Sequence, residues 1–192
     1  MIAILKYNAG NTTSVANAVK SLGYTTILSD DVSILQSAEK VIFPGVGQAR
    51  SAMNYLHERN LDTVIKSLNQ PVLGICLGMQ LLCESSEEGD TDGLGIFKTK
   101  VLKLPPKNLI PHMGWNNFTS VKGNLFRNIS IENDCYFVHS YYAALCSDTV
   151  ATTDYILPFS AALQKDNFYA TQFHPEKSAN AGMQILKNFL EL

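Results

Sequence analysis

The sequence contains no CxxC pair, no long block of like charge and no apolar stretch long enough to span a bilayer. Each absence removes a class of function. The four cysteines, Cys76, Cys83, Cys135 and Cys146, lack the spacing of a zinc site, and a cytosolic chain of this size has little use for disulfides. Each is by default a small buried hydrophobe. Charged residues make up only 17% and the net charge is -2. That leaves no basic field for nucleic acid or an anionic membrane. The opening MIAILKYNAG lacks the basic start and long apolar core of a signal peptide. It reads as a first strand of a cytoplasmic protein. No phosphate loop, dinucleotide fingerprint, internal repeat or low-complexity segment occurs, so neither a cofactor nor a metal is called for.

What is present is a substantial core: 192 residues, 46% of them hydrophobic. That length suits one domain over residues 1–192. In the first half, short apolar strands alternate with helical patterns. Ile2–Leu5 is strand-like. Asn11 is placed to cap a helix to about Leu22, which Gly23 stops. Strand patterns follow at Thr25–Leu28, at Val41–Phe43 before Pro44-Gly45, and at Val72–Ile75. Helical patterns fill the stretch to about Leu68 and then Leu77–Ser85. This order predicts an α/β fold, with a mostly parallel central sheet and helices on both faces. The second half offers strand patterns at Gly95–Leu104, Cys135–Val138, Val150–Thr153, Ser160–Leu163 and Phe168–Ala170. They predict an antiparallel extension of the same sheet, closed by a helix at Ala179–Leu190.

Three segments carry chemistry. The first runs from Val72 to Gln80, VLGICLGMQ. A buried strand ends, Cys76 follows, and a helix begins at once. Gly74 and Gly78 flank the cysteine as in a nucleophile elbow, where larger residues would crowd the turn. Such a bend puts the sulfur at the C-terminal end of the sheet. The helix start favours a thiolate and offers backbone N–H groups to an oxyanion. A structural cysteine in a tight turn is the competing reading. Cys83 falls on the core face of that helix.

The second segment is Gln172-Phe173-His174-Pro175-Glu176. A thiol attacking an amide needs a base, and His174 with Glu176 two residues on supplies a base and its orienting carboxylate. Alone the segment fits a loop histidine beside a surface glutamate equally well. His57 lies in a charged helical pattern and is read as solvated. His139 competes as the base but lacks a nearby carboxylate. The third segment is Pro44-Gly45-Val46-Gly47, able to bring a second N–H to an oxyanion; by itself it suits a plain strand-ending turn better.

These segments, in this order, resemble the class I (triad) glutamine amidotransferases over nearly the whole chain. FPGVG at 43–47, PVLGICLGMQLL at 71–82, PHMGWN at 111–116, YFVHSYY at 136–142 and TQFHPEKS at 171–178 carry the likeness. Within that class they are similar to the glutaminase subunits of imidazole glycerol phosphate synthase. The resemblance implies Cys76 as the nucleophile forming a γ-glutamyl thioester, His174 as acid/base and Glu176 as its partner. It implies an oxyanion hole from the N–H groups of Val46 and Leu77, completed by a flip of the Gly45–Val46 peptide. Gly47, Gln80 and the main chain of His139, Ser140 and Tyr141 would bind glutamine. The chain departs from the family pattern at residues 5–9 and 48–50.

Ammonia released into neutral water is mostly ammonium, which is not a nucleophile. No acceptor-binding domain is evident, so the acceptor must sit on another chain. The resemblance implies a (β/α)8-barrel cyclase subunit in a heterodimer, serving histidine biosynthesis. A related expectation is ammonia supply to a sugar amidotransferase in surface-polysaccharide synthesis. Met113 and Trp115, with Phe118, lie in a Pro/Gly/Asn-rich stretch unsuited to regular core and are candidate interface residues. A tryptophan covering the edge of its own core fits equally. The resemblance adds Lys177 to the interface. A cysteine peptidase, a zinc deaminase and a catalytically silent subunit are the remaining alternatives. The deaminase lacks its downstream Pro-Cys-x-x-Cys.

Overall fold

The computed structural model describes residues 1–192. Its frame is an eight-stranded sheet. The strands of the first half are β1 (Ile2–Leu5), β2 (Thr26–Ser29), β3 (Lys40–Gly45) and β4 (Val72–Cys76). Between them lie α1 (Thr12–Ser21), α2 (Val32–Ser37), α3 (Ala49–Glu58) and α4 (Leu61–Ser67). After β4 come α5 (Leu77–Leu82), β5 (Cys83–Ser86), β6 (Thr91–Asp92) and β7 (Phe97–Lys103). The remainder holds β8 (His112–Asn116), β9 (Ser120–Val121), β10 (Cys135–His139), β11 (Tyr141–Ala143), β12 (Thr149–Tyr155), β13 (Leu157–Lys165), β14 (Phe168–Thr171) and α6 (Ala179–Leu190).

The main sheet runs β2-β1-β3-β4-β14-β13-β12-β9. From β2 to β14 neighbours are parallel, and from β14 to β9 antiparallel. Alternation along the parallel strands fills two cores. Ala3, Leu5, Val41 and Phe43 pack with α3, α4 and α5, whereas Ile2, Ile4, Ile42, Leu73 and Ile75 pack with α1 and α6. Helices therefore cover both faces. No helix is long and apolar enough to cross a membrane.

Four expectations change. The second half does not join one sheet: β8 and β10 form a separate two-stranded ribbon, and β11-β7-β5-β6 a further sheet. The helix after Cys76 stops at Leu82 rather than Ser85, because the chain turns extended at Cys83 to pair β5 with β7. PHMGWN contains a regular strand, β8; Met113 and Trp115 project outward from it, while Phe118 is core, packed on Phe126 and Phe173. Asn11 stands at the N-cap position of α1 in a left-handed conformation (φ 74°) and makes no capping bond. The short α2 was hidden in the sequence because only six residues, with one buried leucine, carry its pattern.

Candidate active site

Cys76 ends β4 and opens α5 with φ 53° and ψ -107°. A side-chain-bearing residue at positive φ costs about 1–3 kcal/mol. Strand pairing on both sides of β4 and the immediate start of α5 over-determine the turn. The two glycines make it possible. A Cβ on Gly78 would lie 1.8 Å from the Phe43 carbonyl oxygen, and one on Gly74 would lie 2.9 Å from the Met79 nitrogen. The strand register sets Gly45 beside Cys76. Leu77 opens the helix, so its N–H has no intrahelical acceptor.

β14 lies next to β4 and delivers His174 just beyond its end. Pro175–Lys177 forms a single 3-10 turn, so the chain curls instead of staying extended, and the curl brings Glu176 back under the ring. Glu176 Oε1 accepts from His174 Nδ1 at 2.8 Å, with both side chains fully buried. His174 Nε2 is buried with no partner of its own. Burial alone would lower the His174 pKa, but the neighbouring Cys76 sulfur and the Glu176 carboxylate outweigh it and raise the value to about 10. The ring nitrogen facing away from Glu176 is thus held as a donor.

Asn11 supplies a contact that the sequence assigned to capping: its Nδ2 donates to Glu176 Oε1. The same Nδ2 lies 3.5 Å from His174 Nδ1. That ring nitrogen already points its proton at the carboxylate, so the carboxylate is the acceptor. The His174 backbone is clamped from the ribbon side. Its N–H donates to the Tyr136 carbonyl at 2.9 Å, and its carbonyl accepts from Ser178 Oγ at 2.6 Å. Ser178 Oγ in turn accepts from the Tyr136 N–H at 2.9 Å.

A cleft of about 320 Å³ opens over the sulfur. Val46, Gly47, Cys76, Leu77 and Gln80 line it together with His139, Ser140 and Tyr141. All the positions expected to bind glutamine therefore meet in one cavity. Glu88 joins them. Its carboxylate accepts from the Ala49 N–H at 2.7 Å, and burial raises its pKa. Nothing in a single sequence distinguishes this glutamate from its neighbours Glu84 and Glu87.

Tyr7 is a further unforeseen residue. It is buried and donates to the Pro44 carbonyl at 2.7 Å. The Val46 carbonyl accepts from the Gly10 N–H at 3.1 Å. The Gly45–Val46 peptide is thus bracketed by two pinned peptides. His139 does not serve as a base beside the sulfur. Both its ring nitrogens are engaged elsewhere, Nδ1 2.8 Å from the Tyr141 carbonyl oxygen and Nε2 3.0 Å from His112 Nδ1. Burial lowers its pKa to about 3 and that of His112 to about 4. His57 is exposed and pairs with Asp62.

Met113, Trp115 and Lys177 lie apart from the cleft and are exposed. Trp115 keeps 55% of its surface open and meets only the Tyr136 ring edge-on among aromatic neighbours. Tyr136 is the residue opposite Trp115 across the ribbon and the one that clamps His174.

A strand-to-helix cysteine elbow and a buried His–Glu pair, on a mostly parallel sheet, are the parts of an α/β hydrolase site able to support thiol attack on an acyl carbon. The sequence profile of the family Glutamine amidotransferase class-I matches residues 3–192. Imidazole glycerol phosphate synthase subunit HisH of Bacteroides fragilis (strain YCH46) is 56% identical, covering 100% of this chain and 99% of its own. The protein of that name from Yersinia pseudotuberculosis is 50% identical, with the same coverage. A crystal structure of a glutamine amidotransferase superposes with a TM-score of 0.77 at 17% identity, covering 99% of this chain and 97% of the other. PurLQS from Thermotoga maritima gives 0.72 at 16%, covering 99% and 97%. At those identities the solved structures establish the fold. The chain belongs to the class I glutamine amidotransferases and, within them, to the family of imidazole glycerol phosphate synthase subunit HisH.

Proposed function

We propose that residues 1–192 act as one glutaminase domain, a subunit that releases ammonia from glutamine through Cys76, His174 and Glu176 and passes it to a cyclase subunit of imidazole glycerol phosphate synthase. The Cys76 sulfur, its proton held on His174 Nε2, attacks the side-chain amide carbon of glutamine. The C–S bond forms, and the carbonyl electron pair moves to oxygen, where the Val46 and Leu77 N–H groups receive it. His174 Nε2 gives its proton to the departing nitrogen, the C–N bond breaks, and ammonia and a γ-glutamyl thioester result. Water then gives a proton to His174 Nε2 and attacks the thioester, releasing glutamate and the sulfur. Glu176 keeps the tautomer and orientation of the ring throughout. Gln80, Glu88, Gly47 and the main chain of His139–Tyr141 hold the amino-acid end of the substrate.

The observation that carries this reading is the buried 2.8 Å His174–Glu176 pair, with an unpartnered Nε2, behind the elbow cysteine. The partner is a (β/α)8-barrel cyclase in a cytoplasmic heterodimer of histidine biosynthesis. Met113, Trp115 and Lys177 face it. The ribbon gives that contact a route to the chemistry, since Tyr136 touches Trp115 and clamps His174. Docking also biases the Gly45–Val46 peptide towards the conformer whose N–H points into the cleft. The synthase name borne by full-length relatives favours this acceptor over a sugar amidotransferase.

The test is ammonia release from glutamine by the native chain and by Cys76→Ala, each with and without the cyclase and its ligand. Activity that needs Cys76 and rises on adding the liganded cyclase supports the reading. Equal turnover with and without the cyclase removes the coupling, and turnover by Cys76→Ala removes the mechanism.

A further inference from the structure

One buried side chain at the site has no role in the steps above. Gln172 is fully buried two residues before His174, and its Nε2 lies 3.6 Å from Cys76 Sγ. An amide can face either way round, so its polarity must come from its neighbours. They settle it. A backbone carbonyl only accepts, so the Tyr141 oxygen demands donors from both sides: His139 Nδ1–H at 2.8 Å and Gln80 Nε2 at 2.9 Å. The second hydrogen of Gln80 Nε2 then needs an acceptor, and Gln172 Oε1 lies 2.9 Å away. Gln172 must therefore turn Nε2 towards the sulfur. The reversed amide would set two NH2 groups against each other and an oxygen against the sulfur.

The order continues outward. His139 Nε2, left as an acceptor, takes the proton of His112 Nδ1 at 3.0 Å, and Asn116 Nδ2 lies 3.3 Å from His112 Nε2. Every link points its hydrogen the same way along the line from Asn116 to Tyr141. On another side of the sulfur stands the Val138 carbonyl oxygen at 3.9 Å, which can take a thiol proton but repels an anion.

We infer that Gln172 is a further catalytic residue: its N–H donates to the Cys76 sulfur whenever that sulfur carries charge, with Gln80 and the Tyr141 carbonyl fixing its polarity. This rests on the glutaminase reading and adds a residue to it. Gln172 transfers no proton. It acts at both ends of the covalent cycle, before the C–S bond forms and after it breaks, when the electron pair returns to sulfur.

Gln172→Glu tests this with little change in shape. The carboxylate still accepts from Gln80 but places an acceptor and a charge beside the sulfur. We expect alkylation of Cys76 by iodoacetamide at neutral pH, followed by peptide mass mapping, to slow by roughly 10- to 100-fold, as for loss of a hydrogen bond to a charged group. In the complex with the cyclase, kcat for glutamine should fall by a similar factor while KM stays within about twofold. A native alkylation rate in Gln172→Glu overturns the inference, because a merely structural glutamine would not set the reactivity of the sulfur. If Gln172→Glu does not fold, Gln172→Asn withdraws the donor by one methylene and carries the same two readouts. A native chain that alkylates but, in complex with the liganded cyclase, hydrolyses no glutamine would instead remove the glutaminase reading, and the alkylation comparison would still judge Gln172.

Discussion

Glu176 Oε1 and His174 Nδ1 stand 2.8 Å apart with neither side chain open to solvent, and Asn11 adds a second donor to the same oxygen. A carboxylate so placed fixes which ring nitrogen carries the outward proton. In Glu176→Gln the amide can offer its NH2 to Nδ1 and select the wrong tautomer. The fold should survive, since volume is kept, and kcat should fall by roughly 10²- to 10⁴-fold with KM little changed. Steady-state glutaminase kinetics on the complex check this. A loss below tenfold would mean that the carboxylate does not orient the ring.

The same pair makes stability depend on pH. Burial works against the charged ring, yet the His174 pKa rises from 6.5 to about 10 because Cys76 and Glu176 hold the proton. The folded chain then binds that proton more tightly than the unfolded one. The contribution is complete below about 6.5 and is lost as pH climbs towards about 10. Urea denaturation of the native chain and of His174→Asn should give a stability gap that narrows from about pH 6.5 to about pH 10. A gap that widens across this window would contradict the assignment.

Much of this was legible in the residues, and the failures have physical causes. The elbow was readable because Gly74 and Gly78 are required by contacts as close as 1.8 Å. The parallel sheet was readable because strands buried on both faces leave unbroken apolar runs, such as Val72–Cys76. Partition of the second half was not, because its short strands pair across long loops, and pairing leaves no local mark. The Asn11 side chain was assigned to its own helix, since local capping is all a sequence displays; the competing acceptor, Glu176, is 165 positions away. Glu88 fell in a stretch with no period and no motif, and Tyr7 in the segment where the chain departs from the family pattern.

Trp115 offers a prediction about assembly. It is 55% exposed and packs edge-on against Tyr136. Trp115→Ala should leave the melting temperature of the isolated chain nearly unchanged. Affinity for the cyclase should weaken by about 2 kcal/mol or more, roughly 30-fold or more in Kd. Calorimetric titration with paired thermal melts checks this. Native affinity would place the partner elsewhere.

Tyr7 and Gly45 are coupled through space. A Cβ on Gly45 would lie 2.0 Å from Tyr7 Oη and 3.2 Å from the ring carbon that bears it. Gly45→Ala should destabilise strongly. Tyr7→Phe should cost about 1–3 kcal/mol through the unpaired Pro44 carbonyl. Removing the hydroxyl also relieves the clash, so the double variant should be more stable than the sum of the single changes by at least about 1 kcal/mol. Denaturant titration of the four proteins measures the difference, and strict additivity would show that the tyrosine does not set the limit at Gly45.

The most direct test of the account uses a glutamine-shaped electrophile, such as a chloroketone analogue, followed by mass spectrometry of the intact chain and its peptides. One adduct on Cys76, blocked by excess glutamine and accompanied by complete loss of ammonia release, is the predicted result. Modification of Cys83, Cys135 or Cys146 with Cys76 untouched, or full labelling without loss of activity, would contradict it.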